Sequence, residues 1–470
     1  MKKNRRGRRK MNRRNFLRAS AAAGAGIMLN RNLFAKETGG TAANDINVAI
    51  IGSGAQGRIL INDSIKISNI RFKAVCDIWE FSKNYGSRSL KARGHDVAVY
   101  EDYRVMLEKE KDLDAVIVAT PDWVHAEHAI AAMEAGHHVY CEKEMSHRLD
   151  VAKTIVHAAE KTGQIVQIGH QRRSNPVYKH ALELIKSGEL CGKIKNCYGQ
   201  WNRPVQEKMK WSPKYEIPLE TLAKYGYANM DHFKNWRWYK KYSAGPIADL
   251  GSHQIDIFSW FLGSEPHSLM AVGGNDYYSD RDWYEDVMAI YEYNTKYGST
   301  RAFYQVLNTS SFGNYFERFL GDKGTLTISE GAGMCYYVPE AGVEYPAWMD
   351  QVERVEKNGH MAIPLIDALT HKDAEAAKDM KEYNVKNPHQ FHLENFFGAI
   401  RKNDKSLLSC PPDIAYDTAV AVLNVIPAIA KGKKVALSES LEDASATQTA
   451  AKKSSFNWQD VKEAVKVFLD

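Results

Sequence analysis

The stretch Ile46–Ile59, INVAIIGSGAQGRI, decides the fold. Apolar residues of strand type lead directly into glycines at positions 52, 54 and 57, with the spacing GxGxxG. The next strand, FKAVCD, ends in Asp77, 20 positions after the last of these glycines. A strand, a glycine-rich turn, a helix and an acid at this distance form the fingerprint of a dinucleotide-binding βαβ unit. The alternative is an ordinary α/β turn without a ligand.

Each part of this motif has a mechanical role. Gly52 permits the tight turn, Gly54 lets the backbone approach a pyrophosphate, and Gly57 allows close packing of the helix. The start of the helix, Ala55–Gln56, offers main-chain amides to phosphate groups. The carboxylate of Asp77 accepts hydrogen bonds from the adenosine ribose and repels a 2′-phosphate. The motif therefore predicts NAD rather than NADP as the cofactor.

Strands and helices continue to alternate to about residue 168, which predicts a parallel sheet. Ligands of such sheets bind beyond the carboxyl ends of the strands. In VYCEKEMSH (Val139–His147) a lysine lies between two glutamates, a pattern that usually marks a solvated turn. Here it follows an apolar strand, so we expect Lys143 on the same rim as the cofactor. The candidate cofactor contacts on this rim are Thr120, Pro121, His125, Glu142 and Lys143.

From about Ile194 the pattern changes to longer strands with polar alternation, which predicts a mainly antiparallel sheet. The fold class is therefore a Rossmann dinucleotide-binding domain followed by an α+β domain on an open sheet. We expect a signal at 1–35, the Rossmann domain at 46–168, a substrate and oligomerisation domain at 169–433, and a linker with a C-terminal helix at 434–470. Because an open sheet face must be covered, we also expect a homo-oligomer.

The segment Gly245–Gly263, GPIADLGSHQIDIFSWFLG, contains the second group of candidate site residues. Asp249, His253 and Asp256 have the spacing of one face of an α-helix. On that face Asp249 can orient the imidazole of His253 and raise its basicity. The alternative is a buried histidine with a purely structural role.

Other polar residues are candidates for the substrate site. Arg172 and Arg173, in HQRRSNPVY, follow a predicted strand and could meet substrate or cofactor, or be structural. Arg237 and Tyr239 lie in NWRWYKKY, where aromatic and polar residues alternate. Aromatic rings in such a setting suit stacking on sugar rings, although they also fill cores.

The charge distribution argues against a nucleic-acid partner. The net charge is +6, but residues 1–35 hold eleven Lys and Arg and no acid, so the rest of the chain carries −5. Arg13 and Arg14 precede Phe16, Leu17 and a short Ala/Gly-rich run, which predicts a twin-arginine signal and a periplasmic location. A basic disordered tail is the alternative. Twin-arginine export carries folded proteins, so a cofactor can be loaded first.

The cysteines and histidines do not predict a metal site. The six cysteines have no CxxC spacing, and we expect free buried thiols, with a Cys191–Cys197 pair as the alternative. His389 and His392 lie three positions apart on a predicted helix without a carboxylate or cysteine at ligand spacing.

The glycine motif, Asp77, ATPDWVHAEHA, the Glu-Lys pair and DLGSHQID occur in an order that resembles the Gfo/Idh/MocA oxidoreductase family. The resemblance covers about residues 46 to 433 and implies NAD(P)-dependent oxidation or reduction at a sugar or cyclitol carbon. It implies that Lys143 binds the reacting oxygen, that His253 paired with Asp249 is the general base, and that Asp256 contacts sugar hydroxyls. One departure is Glu144, which stands where the family has proline. Because a cis peptide before glutamate costs several kcal/mol, we expect a different local turn or a substrate contact of Glu144.

Exported members of this family that the chain resembles include glycoside 3-dehydrogenases. The resemblance therefore implies oxidation at carbon 3 of a sugar or glycoside by a tightly bound NAD that is recycled in place. The main alternative is an NAD-dependent glycosidase that oxidises carbon 3 transiently and eliminates the aglycone. The retained Glu-Lys motif argues against it. A second alternative is a non-catalytic sugar-binding protein, against which Lys143, Asp249 and His253 argue.

Overall fold

The computed structural model describes residues 45–331 and 333–437. The predicted signal at 1–35 lies outside the described residues, as do the predicted linker and C-terminal helix from residue 438 onward. The described chain is built on two sheets, one parallel and one mainly antiparallel. This agrees with the predicted fold class.

The first sheet has six parallel strands in the order β3-β2-β1-β4-β5-β6. Its strands are β1 (Ile46–Ile51), β2 (Ile70–Cys76), β3 (Ala98–Tyr100), β4 (Ala115–Val118), β5 (His138–Cys141) and β6 (Val166–Ile168). The central strands are apolar on both faces because helices cover both sides of the sheet. The strand order reverses between β1 and β4, which opens a crevice at their carboxyl ends.

Five helices connect these strands: α1 (Ala55–Ser64), α2 (Glu80–Lys91), α3 (Tyr103–Lys109), α4 (His125–Glu134) and α5 (Leu149–Thr162). The turn from β1 into α1 requires glycine at two positions. Gly52 has φ +91°, in the left-handed region. A Cβ at Gly57 would lie 2.1 Å from the carbonyl oxygen of Gly52, so a side chain there would push α1 away from β1. The predicted roles of these two glycines in turn and packing agree with this geometry.

The second sheet has ten strands in the order β14-β15-β13-β12-β11-β7-β10-β9-β8-β16. They are β7 (Ile194–Asn202), β8 (Pro266–Gly274), β9 (Asp286–Thr295), β10 (Gly298–Leu307), β11 (Tyr315–Gly321), β12 (Gly324–Ile328), β13 (Tyr336–Pro339), β14 (Val355–Lys357), β15 (His360–Pro364) and β16 (Val435–Ala436). The pairing of β7 with β10 is parallel and the other pairings are antiparallel. Because β16 pairs with β8, this domain extends beyond the predicted boundary at residue 433.

The remaining α-helices are α6 (Pro176–Lys186), α7 (Leu219–Lys224), α8 (Met230–Lys234), α9 (Ser252–Leu262), α10 (Leu365–Leu369), α11 (Ala374–Tyr383), α12 (Pro388–Lys402), α13 (Pro412–Leu423) and α14 (Val425–Lys431). A π-helical turn, Ile247–Gly251, runs directly into α9. Helix α9 is buried against the second sheet, where Phe258 and Phe261 contact Phe319 of β11. This packing fixes the start of α9 over the crevice of the first sheet.

The last helices return to the Rossmann half. Helix α12 packs on α1, and its residues Leu393, Phe396 and Phe397 join the core formed by β1 and β2. Helix α13 packs on α5. The run Pro412–Lys431 is long and apolar enough to cross a membrane, but 61% of its apolar window is buried inside the protein. We therefore assign it to the core of the folded protein.

Candidate active site

A cleft of about 1290 Å³ lies at the carboxyl ends of the parallel strands, between the two halves of the protein. It brings together most of the residues singled out in the sequence. Those that line it are Gly52, Gly54, Ala55, Gln56, Asp77, Thr120, Pro121, His125, Glu142, Lys143, Arg237, Asp249 and His253. The glycine motif and the Lys143 rim therefore share one cavity with the helix from the second domain.

The nucleotide half of the cleft has the features that a dinucleotide requires. Helix α1 begins without a side-chain cap, so the amides of its first turn can bind phosphate. The space above Gly54 is open, with no atom within 4 Å of a Cβ built there. The carboxylate of Asp77 accepts hydrogen bonds from the amide nitrogens of Ser53 and Trp79, both at 2.8 Å. These residues fit the adenosine and pyrophosphate parts of a nicotinamide dinucleotide.

A segment of the second domain, residues 205–239, lies across this nucleotide half, and we call it the strap. The indole Nε1 of Trp79 donates a hydrogen bond of 2.6 Å to the carbonyl oxygen of Tyr215. The rings of Phe81 and Tyr215 are 5.2 Å apart, and the ammonium group of Lys234 lies 4.2 Å from the Trp79 ring. Trp79 thus joins the strap to the turn that follows Asp77.

The strap was not predicted from the sequence. The aromatic residues of NWRWYKKY, which include Trp236 and Trp238, were candidates for sugar stacking or for a core, and Trp79 had no predicted role. The sequence did contain a signal for the strap. Two large aromatic residues, Trp79 and Phe81, follow closely after Asp77 and have to pack against other residues of the chain. The residues that pack against them belong to a stretch without regular strand or helix periodicity. Their place in the fold could therefore not be predicted from the sequence pattern.

Lys143 lies two residues beyond the end of β5 with 11% of its side chain exposed. Its Nζ donates a hydrogen bond of 2.5 Å to the main-chain carbonyl of Asp249 and lies 4.0 Å from Oδ1 of the same residue. The peptide bond between Lys143 and Glu144 is cis. We expected a different local turn because Glu144 stands where the family has proline. That expectation was wrong.

The carboxylate of Asp249 contacts arginine and lysine side chains and does not contact His253. Arg237 Nε donates to Oδ1 at 2.9 Å, and Arg203 lies 3.9 Å from Oδ2. Burial alone would raise the pKa of Asp249, but the charges of Arg237, Lys143 and Arg203 outweigh it and hold the pKa below its usual value. Asp249 is therefore ionised at neutral pH.

Asp249 and His253 are not joined by a hydrogen bond among the described residues, contrary to the orienting role that the sequence predicted. Asp249 lies within the π-helical turn Ile247–Gly251, and His253 lies beyond it in the first turn of α9. The Asp249 carboxylate pairs instead with Arg237 and Arg203.

His253, in the first turn of α9, lines the cleft but is largely buried. Its ring centroid lies 5.4 Å from that of Trp201 on β7. Burial lowers the pKa of His253 well below its usual value, and the positive charges of Lys143 and Arg172 add to this effect. The imidazole is therefore neutral at neutral pH and has a lone pair that can accept a proton.

Four residues predicted to bind substrate lie outside the lining of the cleft. Asp256 accepts a hydrogen bond of 2.8 Å from Arg173 and one of 2.9 Å from Thr418. Arg172 forms ion pairs with Glu317 and Glu330. The hydroxyl of Tyr239 donates to Asp231 at 2.5 Å. The structural alternative for the two arginines agrees with these contacts, and Asp256 serves as the counter-ion of Arg173.

Glu144 and His170 form a buried pair behind Lys143. His170 Nε2 lies 3.7 Å from Glu144 Oε1, and neither ring nitrogen of His170 has a hydrogen-bond partner among the described residues. Burial raises the pKa of Glu144 to about 7, and the charge of Lys143 opposes that rise. Glu144 also borders the cleft, so its charge state can act on Lys143.

The described residues contain no group of three or more His, Cys, Asp or Glu side chains that could hold a metal ion. His389 borders the cleft, whereas the ring nitrogens of His392 contact the carbonyl of Ile168 and the hydroxyl of Ser174. The six cysteines, all among the described residues, are buried and free. The expectation of free thiols is confirmed, and the Cys191–Cys197 pair is not formed.

The doubly wound sheet and its cleft define a two-domain, dinucleotide-binding protein. A family model described as an oxidoreductase family with an NAD-binding Rossmann fold matches residues 46–170, and a Gfo/Idh/MocA C-terminal domain model matches 178–327. The chain belongs to the Gfo/Idh/MocA oxidoreductase family. A model of the twin-arginine translocation signal sequence matches residues 10–29, outside the described residues.

Curated relatives match part of the chain. The uncharacterised oxidoreductase YrbE of Bacillus subtilis is 27% identical over 48% of this chain and 57% of its own length. Levoglucosan dehydrogenase of Pseudarthrobacter phenanthrenivorans is 28% identical over 34% of this chain and 36% of its own. The chain thus matches about half or less of the length of these relatives.

Among solved structures, levoglucosan dehydrogenase in complex with NADH superposes with a TM-score of 0.62 and 18% sequence identity. The match covers 84% of this chain and 99% of that structure. At this level of identity the likeness establishes the fold of both domains.

Proposed function

We propose that the protein is an NAD-dependent dehydrogenase that moves a hydride between a ring hydroxyl carbon of a sugar or glycoside and a tightly bound nicotinamide cofactor. The observation that supports this most directly is the convergence of Lys143, Asp249 and His253 in the same cleft as the glycine turn and Asp77. A proton acceptor and a fixed cation beside a dinucleotide site are what oxidation of an alcohol requires.

A nicotinamide dinucleotide held by the turn at Gly52 and Gly54 and by Asp77 would supply the hydride acceptor. The side chains supply the rest. Neutral His253 accepts the proton of the reacting hydroxyl. Lys143 donates a hydrogen bond to the same oxygen and stabilises the negative charge that develops on it. Asp249 holds the ammonium group of Lys143 in place through its main-chain carbonyl and its carboxylate.

The cofactor assigned to this site is NAD. The Asp77 carboxylate, fixed by two amides, accepts hydrogen bonds from ribose hydroxyls and repels a 2′-phosphate. The strap supports tight retention, since Trp79, beside Asp77, is held by Tyr215 of the second domain. Retention agrees with a periplasmic location after twin-arginine export, where a bound cofactor has to be recycled in place.

The substrate class is a sugar or glycoside, with carbon 3 as the reacting position. The related proteins named inositol 2-dehydrogenase and levoglucosan dehydrogenase support a polyhydroxylated ring. The alternative is a glycosidase that oxidises carbon 3 only transiently. A relative of Escherichia coli named 2,7-anhydro-N-acetylneuraminate hydratase keeps this alternative open, because hydration is redox-neutral overall. A keto-glycoside product indicates the dehydrogenase, and a released reducing sugar indicates the glycosidase.

The test is to purify the protein without added NAD and record the absorbance band of reduced nicotinamide before and after adding a panel of glycosides. We expect the band to rise without added cofactor, and to stay unchanged in Lys143→Ala and His253→Ala. Absence of bound nicotinamide, together with no response when NAD is supplied, would exclude the dehydrogenase and favour the sugar-binding alternative.

A further inference from the structure

Two arginines at the reaction end of the cleft have more hydrogen-bonding capacity than the protein uses. The guanidinium of Arg203, just after β7, lies over the ring of Trp201 with its carbon 5.2 Å from the ring centroid. That of Arg237 lies over Trp236 at 4.2 Å. Both arginines line the main cleft and also a small second cavity of about 50 Å³ beside it. They therefore mark the junction of the two cavities.

The protein supplies few acceptors to these guanidinium groups. Arg237 donates from Nε to Asp249 at 2.9 Å. Arg203 lies 3.9 Å from the same carboxylate, which is beyond hydrogen-bond distance. In residues 45–331 and 333–437 no other protein atom accepts a hydrogen bond from either guanidinium. Each guanidinium has five N–H donors in a planar fork that matches a carboxylate or a phosphate. Most of these donors are thus available to a ligand, and 34% of the Arg203 side chain is exposed.

The charges at this end of the cleft do not balance. Lys143, Arg203 and Arg237 surround one ionised carboxylate, that of Asp249. The other acids here are Asp122 and Glu144, and burial raises the pKa of both. A partly enclosed cleft with an excess of one charge concentrates ligands of the opposite charge.

The neighbouring charged groups do not remove this excess. In the second cavity Glu285 accepts hydrogen bonds of 2.7 Å from the amides of Asp276 and Tyr277. Arg281 lies in the same cavity, stacked on Trp238 at 3.4 Å, and opposes the charge of Glu285. On the cofactor side, Glu142 accepts a hydrogen bond of 3.0 Å from Gln56.

We propose that Arg203 and Arg237 bind an anionic group of the sugar, so that the preferred substrates are acidic sugars rather than neutral ones. The anion, a carboxylate, sulfate ester or phosphate ester, meets the two guanidinium forks at the junction of the cavities. The ring of the same sugar lies toward Trp201, whose ring also contacts Tyr315 at 4.5 Å and His253 at 5.4 Å. That places the reacting hydroxyl near His253 and Lys143. The oxidation of an acidic sugar rests on the proposed function. The binding of the anionic group by Arg203 and Arg237 does not depend on it.

The experiment measures binding separately from turnover. Titration of the intrinsic tryptophan fluorescence compares uronides, sugar sulfates and sugar phosphates, each with its neutral parent sugar. We expect at least one acidic sugar to bind the wild-type protein about 10-fold or more tightly than its parent, because a hydrogen bond to a charged group contributes about 1.5–3 kcal/mol. The class of acidic sugar that binds best identifies the anion.

Variants of Arg203 test whether this arginine causes the preference for acidic sugars. Arg203→Gln is expected to weaken binding of the acidic sugar about 10-fold or more and to leave that of the neutral parent nearly unchanged. Arg203→Lys keeps the positive charge but not the planar fork of donors. We expect its affinity for the acidic sugar to lie between those of wild type and Arg203→Gln. Arg301→Gln, on the outward side of β10, is the matched control and is expected to behave as wild type.

The two proposals fail in different ways. If no acidic sugar binds more tightly than its neutral parent, or if Arg203→Gln keeps the wild-type preference, the anion site is wrong. If acidic sugars bind selectively but none is oxidised, the anion site stands and the dehydrogenase assignment fails. Oxidation of neutral glycosides without any acidic preference supports the dehydrogenase and overturns the anion site.

Discussion

The ammonium nitrogen of Lys143 donates a hydrogen bond of 2.5 Å to the main-chain carbonyl oxygen of Asp249, 106 residues further along the chain. The lysine belongs to the rim of the parallel sheet, and the carbonyl belongs to the π turn of the second domain. The reacting end of the cleft is therefore complete only where the two domains meet.

Replacing Lys143 by alanine removes a cation directed at the reacting oxygen. We expect kcat to fall about 100–1000-fold, the range for loss of one donor to a developing oxyanion, while the bound nucleotide is retained. Steady-state rates and the nucleotide content of the purified variant measure the two effects. Lys91→Ala, an exposed residue of α2, is the control. Unchanged turnover in Lys143→Ala would falsify the assigned role.

Glu144 makes the folding stability depend on pH. Burial raises the pKa of Glu144 from its usual 4.5 to about 7. The folded state then binds the proton more tightly than the unfolded state, so this contribution to stability is full below pH 4.5 and is lost as the pH rises through 7. Glu144→Gln removes it.

Urea unfolding at pH 5 and pH 8 tests this dependence. We expect the free energy of unfolding of wild type to fall between pH 5 and pH 8 by up to about 3 kcal/mol more than that of Glu144→Gln, for a pKa shift of this size. Glu382→Gln, whose carboxylate pairs with Lys386 on the surface, is the comparison. An equal pH dependence in wild type and Glu144→Gln would contradict the raised pKa.

The charge of Asp77 should determine the choice between NAD and NADP. In Asp77→Asn the side chain keeps an oxygen for the amide of Ser53 and loses the charge that repels a 2′-phosphate. We expect the preference for NADH over NADPH to fall about 10-fold or more, as for a charged hydrogen bond. Dissociation constants for both nucleotides measure it, and a preference that does not change would place the specificity elsewhere.

The hydrogen bond from Trp79 to the strap should slow the release of the cofactor. Trp79→Phe keeps the aromatic ring and removes the donor to Tyr215. Loss of one such bond contributes about 0.5–1.5 kcal/mol, so we expect NADH to dissociate about 2–10 times faster. Stopped-flow displacement monitored by NADH fluorescence gives the rate. Trp348→Phe, in the second domain away from the cleft, should release NADH at the wild-type rate.

The outer face of the second sheet should be an interface between copies of the chain. Met270 and Ile290 are paired across β8 and β9, as are Val272 and Met288, and all four side chains are 42–63% exposed. Such a patch of apolar residues favours a covered state. We expect Ile290→Lys to lower the mass measured by sedimentation, whereas Leu219→Lys, exposed on α7, should not. A monomeric wild-type protein would disprove this interface.

Much of the fold could be predicted because its signals are local. The turn at Gly52 and the acid at Asp77 lie within one βαβ unit, and Lys143 directly follows an apolar strand. Packing between distant segments was not predictable in the same way. Helical spacing predicted that Asp249 orients His253, but the Asp249 carboxylate pairs with Arg237, whose contact the spacing could not show. The sequence also gave no means to tell that Arg172 has Glu317 as a buried counter-ion rather than a substrate.

The packing of Phe396 and Phe397 beside β1 has a consequence for the order of synthesis. A ribosome that has released only the residues up to β6 has made every strand of the parallel sheet, and also α1 and α2 on this side of it, but not α12, which completes the cover. The nucleotide domain can bury this side fully only after residues near 400 have emerged. We therefore expect a chain truncated before Pro388 to expose apolar surface of the parallel sheet.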